Sequence, residues 1–319
     1  MRFLTAAALA VLSLSGAADA WAQAYPSRPL SFVVPLPPGG TADVVTRVIA
    51  EHMAKKLGQP VVVENKPGAS TMLGTAQVAR SAPDGYTLIF ATDAIAVNAV
   101  LGKDVPYDGA RDLEGVSRLA TLPLVVVVQH YERYASLRAA LQAARANPGK
   151  LNVATVGLGT PHYIALEWLK KSAGLDVVHV PYQGTAPLVT ALLAGETELA
   201  VVTLAGVQAH AEARKLRVLA TTGVERAGAI PTVAEEAGIA DFAVTSWFGV
   251  ALRAGTPAAI VQRLNAEVTD ALAQPVVQER LRGAGLQVAP SSAAAMTALL
   301  RDEIEKYWRI VALTGISRP

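Results

Sequence analysis

Leu30-Ser-Phe-Val-Val-Pro35-Leu-Pro-Pro-Gly-Gly-Thr-Ala-Asp43 is the stretch whose reading decides the fold. The apolar, β-branched run from Leu30 to Pro35 reads as a buried strand. Two prolines and two glycines then make a turn, and Asp43 to Leu57 reads as a helix ended by Gly58 and Pro60. A strand, a glycine turn and a helix in immediate succession are the opening half of a βαβ unit.

Outward from it the alternation continues. Val61 to Glu64 reads as a strand, Thr71 to Arg80 as a helix, Pro83-Asp-Gly85 as a turn and Thr87 to Ala91 as a third strand. The pattern restarts with a strand at Leu124 to Gln129. A helix follows over Ser136 to Ala146, with Ser136 as its N-cap. Strands at Asn152 to Thr155, Val177 to Val180, Leu199 to Val202 and Val218 to Thr221 enclose helices at Pro161 to Lys171 and Ala186 to Ala194. This predicts an α/β protein whose largely parallel sheet is covered by helices on both faces. The tail reads as helical. Thr256-Pro257 is taken as a cap followed by a first-turn proline, and Ile260, Leu264, Val268 and Leu272 form a core-facing stripe. A short helix follows Pro275, and a last one runs from about Ser292 to Ala312. Thr121–Leu124 and Ala243–Ser246 are extended, which suggests two domains joined by a hinge of paired strands.

The N-terminus reads as a signal peptide over residues 1–24. Arg2 supplies the positive start, Phe3 to Leu14 an apolar stretch too short to span a bilayer, and small-x-small sites follow. Cleavage is expected after Ala22 or Ala24; the alternative is a retained membrane anchor. The chain has no cysteine, so it forms no disulfide and carries no thiol for a lipid. A diffusible periplasmic protein, monomeric and without stable membrane insertion, is the expectation. The formal net charge is +2 with basic residues scattered, which leaves no footprint for nucleic acid.

Four turns share one form, a strand end, small residues and a helix start. Pro38, Gly39, Gly40, Thr41 and Ala42 make the first. Its glycines admit a ligand close to the backbone, and the helix start offers free N–H groups and a positive dipole end. Asp43 in this turn either caps the helix or pairs with Arg47. Thr92 ends the third strand, where α/β sheets bind ligands; Asp93 after it is either an N-cap or an acceptor for a ligand hydroxyl or ammonium. The third turn holds Val156, Gly157, Gly159 and Thr160. It lacks the third glycine of a dinucleotide loop and reads as an anion site, with His162 beyond it either structural or ligating. Tyr182, Gln183, Gly184 and Thr185 make the fourth, with Thr185 as a cap. Each turn alone is weak; convergence of the four on one cleft is the inference.

Catalytic signatures are missing. There is no Gly-x-Ser-x-Gly elbow, P-loop or His-Glu-x-x-His, thiol catalysis is excluded, and His210-Ala-Glu212 is a poor metal signal. No cofactor or metal is expected.

Ordered motifs along the chain carry a resemblance. They are Tyr25-Pro-Ser-Arg-Pro29, the Pro-Pro-Gly-Gly loop with Asp43, Leu57-Gly-Gln-Pro-Val-Val-Val-Glu-Asn-Lys-Pro-Gly68 and Ala82-Pro-Asp-Gly-Tyr-Thr87. His179-Val-Pro-Tyr182 with Gly184, Pro231-Thr-Val-Ala-Glu235 and Ser246-Trp-Phe-Gly249 follow. Together they resemble the Bug family, the solute receptors of tripartite tricarboxylate transporters. The resemblance implies a type II periplasmic-binding-protein fold, with lobe 1 formed by 25–122 plus 246–319 and lobe 2 by 123–245. It implies a small carboxylate held in the interdomain cleft through backbone N–H groups, hydroxyls and waters, by the turn residues named above together with Thr203. The ligand classes in view are di- and tricarboxylates, aromatic acids and amino acids. The implied partners are membrane permease subunits; the alternatives are a sensor for a membrane signalling protein or a periplasmic enzyme. Two departures stand out. Val202-Thr203 replaces an aromatic-Asp pair, and Asp93 sits where small neutral residues are usual.

Overall fold

The computed structural model describes residues 25–129 and 134–316. The expected signal peptide, residues 1–24, lies outside the described residues. Two sheets are formed. The first has strands β1 (Leu30–Val34), β2 (Val61–Asn65), β3 (Thr87–Thr92), β4 (Leu113–Leu122), β10 (Ser246–Arg253) and β11 (Gln287–Val288), in the order β11-β4-β10-β3-β1-β2. The second has β5 (Leu124–Val128), β6 (Asn152–Thr155), β7 (Val178–Pro181), β8 (Leu199–Thr203) and β9 (Arg217–Thr221), in the order β7-β6-β8-β5-β9.

The expected parallel sheet is corrected to two mixed ones. β1 pairs in parallel with β2 and β3, and β6 with β7 and β8, whereas β10 and β5 run antiparallel to their neighbours. The reason lies in the connections. β4 ends at Leu122 and β5 starts at Leu124, so one strand passes from the first sheet into the second. It leaves at the carboxyl edge of the first sheet. It enters at the carboxyl edge of β8 and must therefore oppose it. β10 enters the first sheet in the same sense. The two carboxyl edges thus face each other, and every βα turn opens toward the junction.

Burial alternates as the pleat requires. In β5, Leu124, Val126 and Val128 join one apolar cluster while Val125 and Val127 join another. In the first sheet one face packs under α1 (Thr41–Leu57), α9 (Ala258–Ala273) and α10 (Pro275–Gly283), with Phe32, Ile49, Leu264 and Leu281 buried. The other face packs under α2 (Met72–Ala79) and α11 (Ala293–Thr314). Two strand glycines admit α11: a Cβ on Gly115 or Gly249 would come within 2.6 or 2.5 Å of Met296. The second sheet is covered by α4 (Leu137–Ala146), α5 (Pro161–Ala173) and the short α8 (Val233–Ala237) on one face and by α6 (Thr185–Ala194) and α7 (Leu204–Glu212) on the other. α3 (Ala94–Leu101) and the end of α11 cross over: Val97, Val100, Tyr307 and Ile310 share a cluster with Leu124 and Val126.

Ser136 caps α4 as expected, its hydroxyl accepting from Ala139 N–H. Thr256 does not cap α9. Its hydroxyl donates to Arg253 O, and Pro257 holds the cap position. Among the described residues no helix is long and apolar enough to cross a membrane.

Candidate functional site

The first turn is braced from below. Gly39 lies at φ +82°, and Gly40 opens α1 with no side-chain cap. Asp43 accepts from Gly39 N–H at 3.0 Å and from Asn65 Nδ2 at 3.0 Å, and it pairs with Arg47 at 2.9 Å. The Arg47 hydrogen bond holds its carboxyl below the usual range. Asp43 is therefore the strut of the turn; it pairs with Arg47 and does not occupy the cap. Pro38, Gly39, Gly40 and Thr41 are exposed, and Ala42 is buried.

The second turn differs from the reading of the sequence. Thr92 is buried, and its hydroxyl accepts from Ala94 N–H at 3.3 Å. Asp93 holds the N-cap position of α3 but makes no side-chain cap, and it lines neither of the two large cavities described below. It is 8% exposed, and Ser246 Oγ donates to its Oδ2. Burial pushes its pKa up to about 6, against the pull of the Ser246 bond. Its carboxylate is engaged by the strand crossing, through Ser246 and the N–H groups of Trp247 and Ala94.

In the third turn Gly157 lies at φ +127° and Gly159 at +67°. Thr160 Oγ1 accepts from Tyr163 N–H as the cap of α5 and donates to Gly157 O at 2.8 Å, so its proton is already placed on the chain's own carbonyl. Val156 packs against the apolar cluster under α6. His162 is 8% exposed and has no partner for either ring nitrogen; burial lowers its pKa to about 4 and keeps it neutral. The fourth turn lies against the third, with Tyr182 N–H donating to Thr155 O at 2.8 Å. Gln183 is exposed, and Gly184 at φ +106° opens α6 with no side-chain cap. Thr185 is therefore the first helical residue and not the cap. Thr203, without a cap bond of its own, opens α7.

Three of these residues meet. Thr41, Thr185 and Thr203, each at the start of a helix whose N-terminal amides have no side-chain cap, line one cavity of about 620 Å³. Three hydroxyls and three positive helix ends around one space suit an anion. Gly157, Thr160 and His162 are not on its wall. The wall also holds residues that the sequence did not place in the site: Leu122 and Phe248 from the crossing strands, Glu212 at the end of α7, and Arg282 to Leu286, which run from the last turn of α10 toward β11. Phe248 lies inside the quoted Ser246–Gly249 motif, and strand alternation there separates it from Trp247. Thr121 and Trp247 instead line a second cavity of about 530 Å³. Gly285 closes the rim of the first cavity. At φ +74°, a Cβ there would sit 2.0 Å from that of Ala205 on α7. Among the described residues no group of three or more His, Cys, Asp or Glu is placed to hold a metal.

Two mixed sheets meeting at their carboxyl edges, with uncapped helix ends around the space between them, define a solute-binding receptor of the periplasmic-binding-protein class. The family profile described as tripartite tricarboxylate transporter family receptor matches residues 45–316. The chain belongs to that family. Protein BugT of Bordetella pertussis is 33% identical over 319 residues, covering 98% of this chain and 98% of its own. The structure of Rhodopseudomonas palustris Rpa4515 with adipate is similar at a TM-score of 0.75 and 31% identity, covering 92% of this chain and 99% of that one. MatC of Rhodopseudomonas palustris with bound malate gives a TM-score of 0.72 and 30% identity, covering 90% of this chain and 100% of that one.

Proposed function

We propose that this chain works in the periplasm after loss of its signal peptide. There it captures a small carboxylate between its lobes and delivers it to the membrane components of a tripartite tricarboxylate-type transporter. Residues 25–122 with 246–319 form one lobe and 123–245 the other. The observation that carries the reading is the meeting of Thr41, Thr185 and Thr203 on one cavity. Thr41 comes from the first lobe and the other two from the second. A ligand touching both lobes binds the closed form better and shifts the population toward it. Adipate and malate in two relatives support a carboxylate as the ligand class. Arg282 at the rim favours an anion, and Thr203 leaves the α7 start without a fixed negative charge. Of the other turn residues, Gly40, Ala42, Gln183 and Gly184 flank Thr41 and Thr185 and offer backbone N–H groups beside them, while Val156 to Thr160 form a neighbouring turn off this wall. Catalytic turnover is not part of this role.

A thermal-shift series of mono-, di- and tricarboxylates tests it. At a ligand concentration of 100 Kd the stabilisation is about 2.7 kcal/mol, a clear rise in Tm. A rise with at least one carboxylate is expected. No rise with any of them, together with a rise for sugars or cations, overturns the reading.

A further inference from the structure

Four chain passages join the two sheets. β3 runs at Asp93 into α3, whose Val97 and Val100 lie in the core of the second sheet. β4 runs through Pro123 into β5, and the returning chain enters β10 at Ser246. α11 starts beneath the first sheet at Met296 and ends with Tyr307 and Ile310 in the second core. Three of the four meet in one buried polar knot. Ser246 Oγ donates to Asp93 Oδ2, the N–H groups of Trp247 and Ala94 point at the same carboxylate, and Glu303 of α11 faces it. The fourth is one strand away, because Ser246 pairs with Leu122 in the β10–β4 register. Asp93 and Glu303 are each 8% exposed. Tyr307 lies against Glu303, and Trp247, whose backbone N–H meets Asp93, has its own Nε1 buried without a partner.

We propose that Asp93, Ser246 and Glu303 form a proton-operated hinge, in which a proton on the carboxyl pair holds the passages together and its loss releases them toward the open form. Two buried carboxylates that face each other do not both ionise without a penalty. Lys306 pairs with Glu303 Oε1 and neutralises it, whereas Asp93 is met by hydroxyl and amide groups alone. Asp93 is therefore the one that takes the proton. Its raised value, about 6, places the change inside the range a periplasmic protein experiences. The sign follows from hydration. The compact knot binds the proton more tightly than an opened, wetted one, so acid favours the knot and rising pH through about 6 loosens it. The groups facing the pair are Glu303, Lys306 and Tyr307 from α11 and Ser246 and Trp247 from β10. Tyr307 stays protonated, its pKa raised by burial. Arg118 of β4, with Glu225 and Arg226, lines the 530 Å³ cavity whose wall also holds Glu303, Lys306 and Trp247, so the Glu303 side of the pair borders that cavity. None of this depends on which solute the cleft accepts.

Carbon-13 carboxyl NMR and small-angle X-ray scattering of the ligand-free protein between pH 5 and 8 test the hinge. The Asp93 carboxyl is expected to titrate with a midpoint near 6. The radius of gyration is expected to rise along the same curve. Asp93→Asn should flatten the radius curve. Glu303→Gln removes the facing negative charge and should move the midpoint down, and Ser246→Ala removes a bond to the ionised form and should move it up. A merely structural role predicts no such opposite shifts, and they remain readable if Asp93→Asn fails to fold. A midpoint in the ordinary carboxylate range, a radius that ignores pH, or a pH response that survives in Asp93→Asn overturns the proposal.

Discussion

His162 sits in the first turn of α5, 8% exposed and held neutral by its burial. It follows a glycine turn at a helix start, a place for a ligand contact, yet it is buried with both ring nitrogens unpartnered. Burial depresses its pKa from 6.5 to about 4. Between those values the unfolded chain binds a proton that the native one refuses. The contribution of His162 is fully present above pH 6.5 and is lost as pH falls toward 4, by up to about 3 kcal/mol. Asp93 acts oppositely: raised to about 6, it favours the native state as pH falls below that value. The two partly cancel, so wild-type stability should vary little between pH 6 and 4 from this source. His162→Leu, close in volume and free of unpaired nitrogens, should unmask the Asp93 trend. Urea melts are expected to show the variant gaining on wild type as pH falls from 7 to 4.5. A constant difference across that range would mean that His162 is solvated in the native state and binds its proton as the unfolded chain does.

At the scale of elements, the run into α2 stores strain. Ala69, Ser70 and Thr71 lie at φ +46°, +51° and +75°, three successive non-glycine residues in the left-handed region. Each costs about 1–2 kcal/mol there. The run closes on its own bond from Met72 N–H to Ala69 O and is held from outside by Asn98 Nδ2 donating to Ser70 O. Ser70→Gly should raise stability by about 1 kcal/mol, read as a shift in urea midpoint at constant slope. No residue type here warns of the strain: Thr71 to Arg80 reads as an ordinary helix, and the helix begins at Met72. Elsewhere legibility followed packing. β5 reads at once because all five of its residues are buried apolar ones. β4 does not, because Gly115 and Ser117 face inward, the glycine small enough to admit Met296 and Ser117 bonded to Ser291 O. α3 hides for the reverse reason: buried on nearly every side, Ala94–Leu101 shows no 3.6-residue stripe. The turn residues of the site were legible from glycine and threonine placement. Phe248 and the Arg282–Leu286 segment were not, because only the crossing of the two sheets brings them to the cavity.

At the scale of the molecule, hinge and rim lie on different sides of the same crossing strands, as the alternation of Trp247 and Phe248 requires. The rim contact is steric. Gly285, just beyond α10, rests against Ala205 of α7 so closely that no side chain fits on the glycine. Any larger group at 205 must take the space of the Gly285 backbone. Gly285 itself is a poor place to probe this, because its φ of +74° would strain a substituent regardless of the lobes. Ala205 is the better probe: it lies in the first turn of α7, and leucine is nearly as good a helix former as alanine. Ala205→Leu should therefore leave each lobe intact and prop them apart. The ligand-free protein is expected to melt within a degree or two of wild type while showing a larger radius of gyration. Its affinity for the carboxylate that gives the largest thermal shift should fall at least tenfold, about 1.4 kcal/mol, because ligand binding must now work against the wedge. Ala205→Gly, which adds no bulk, should keep wild-type affinity. Unchanged affinity in Ala205→Leu would show that the bound form does not bring these two segments together, and that closure is governed at the hinge alone.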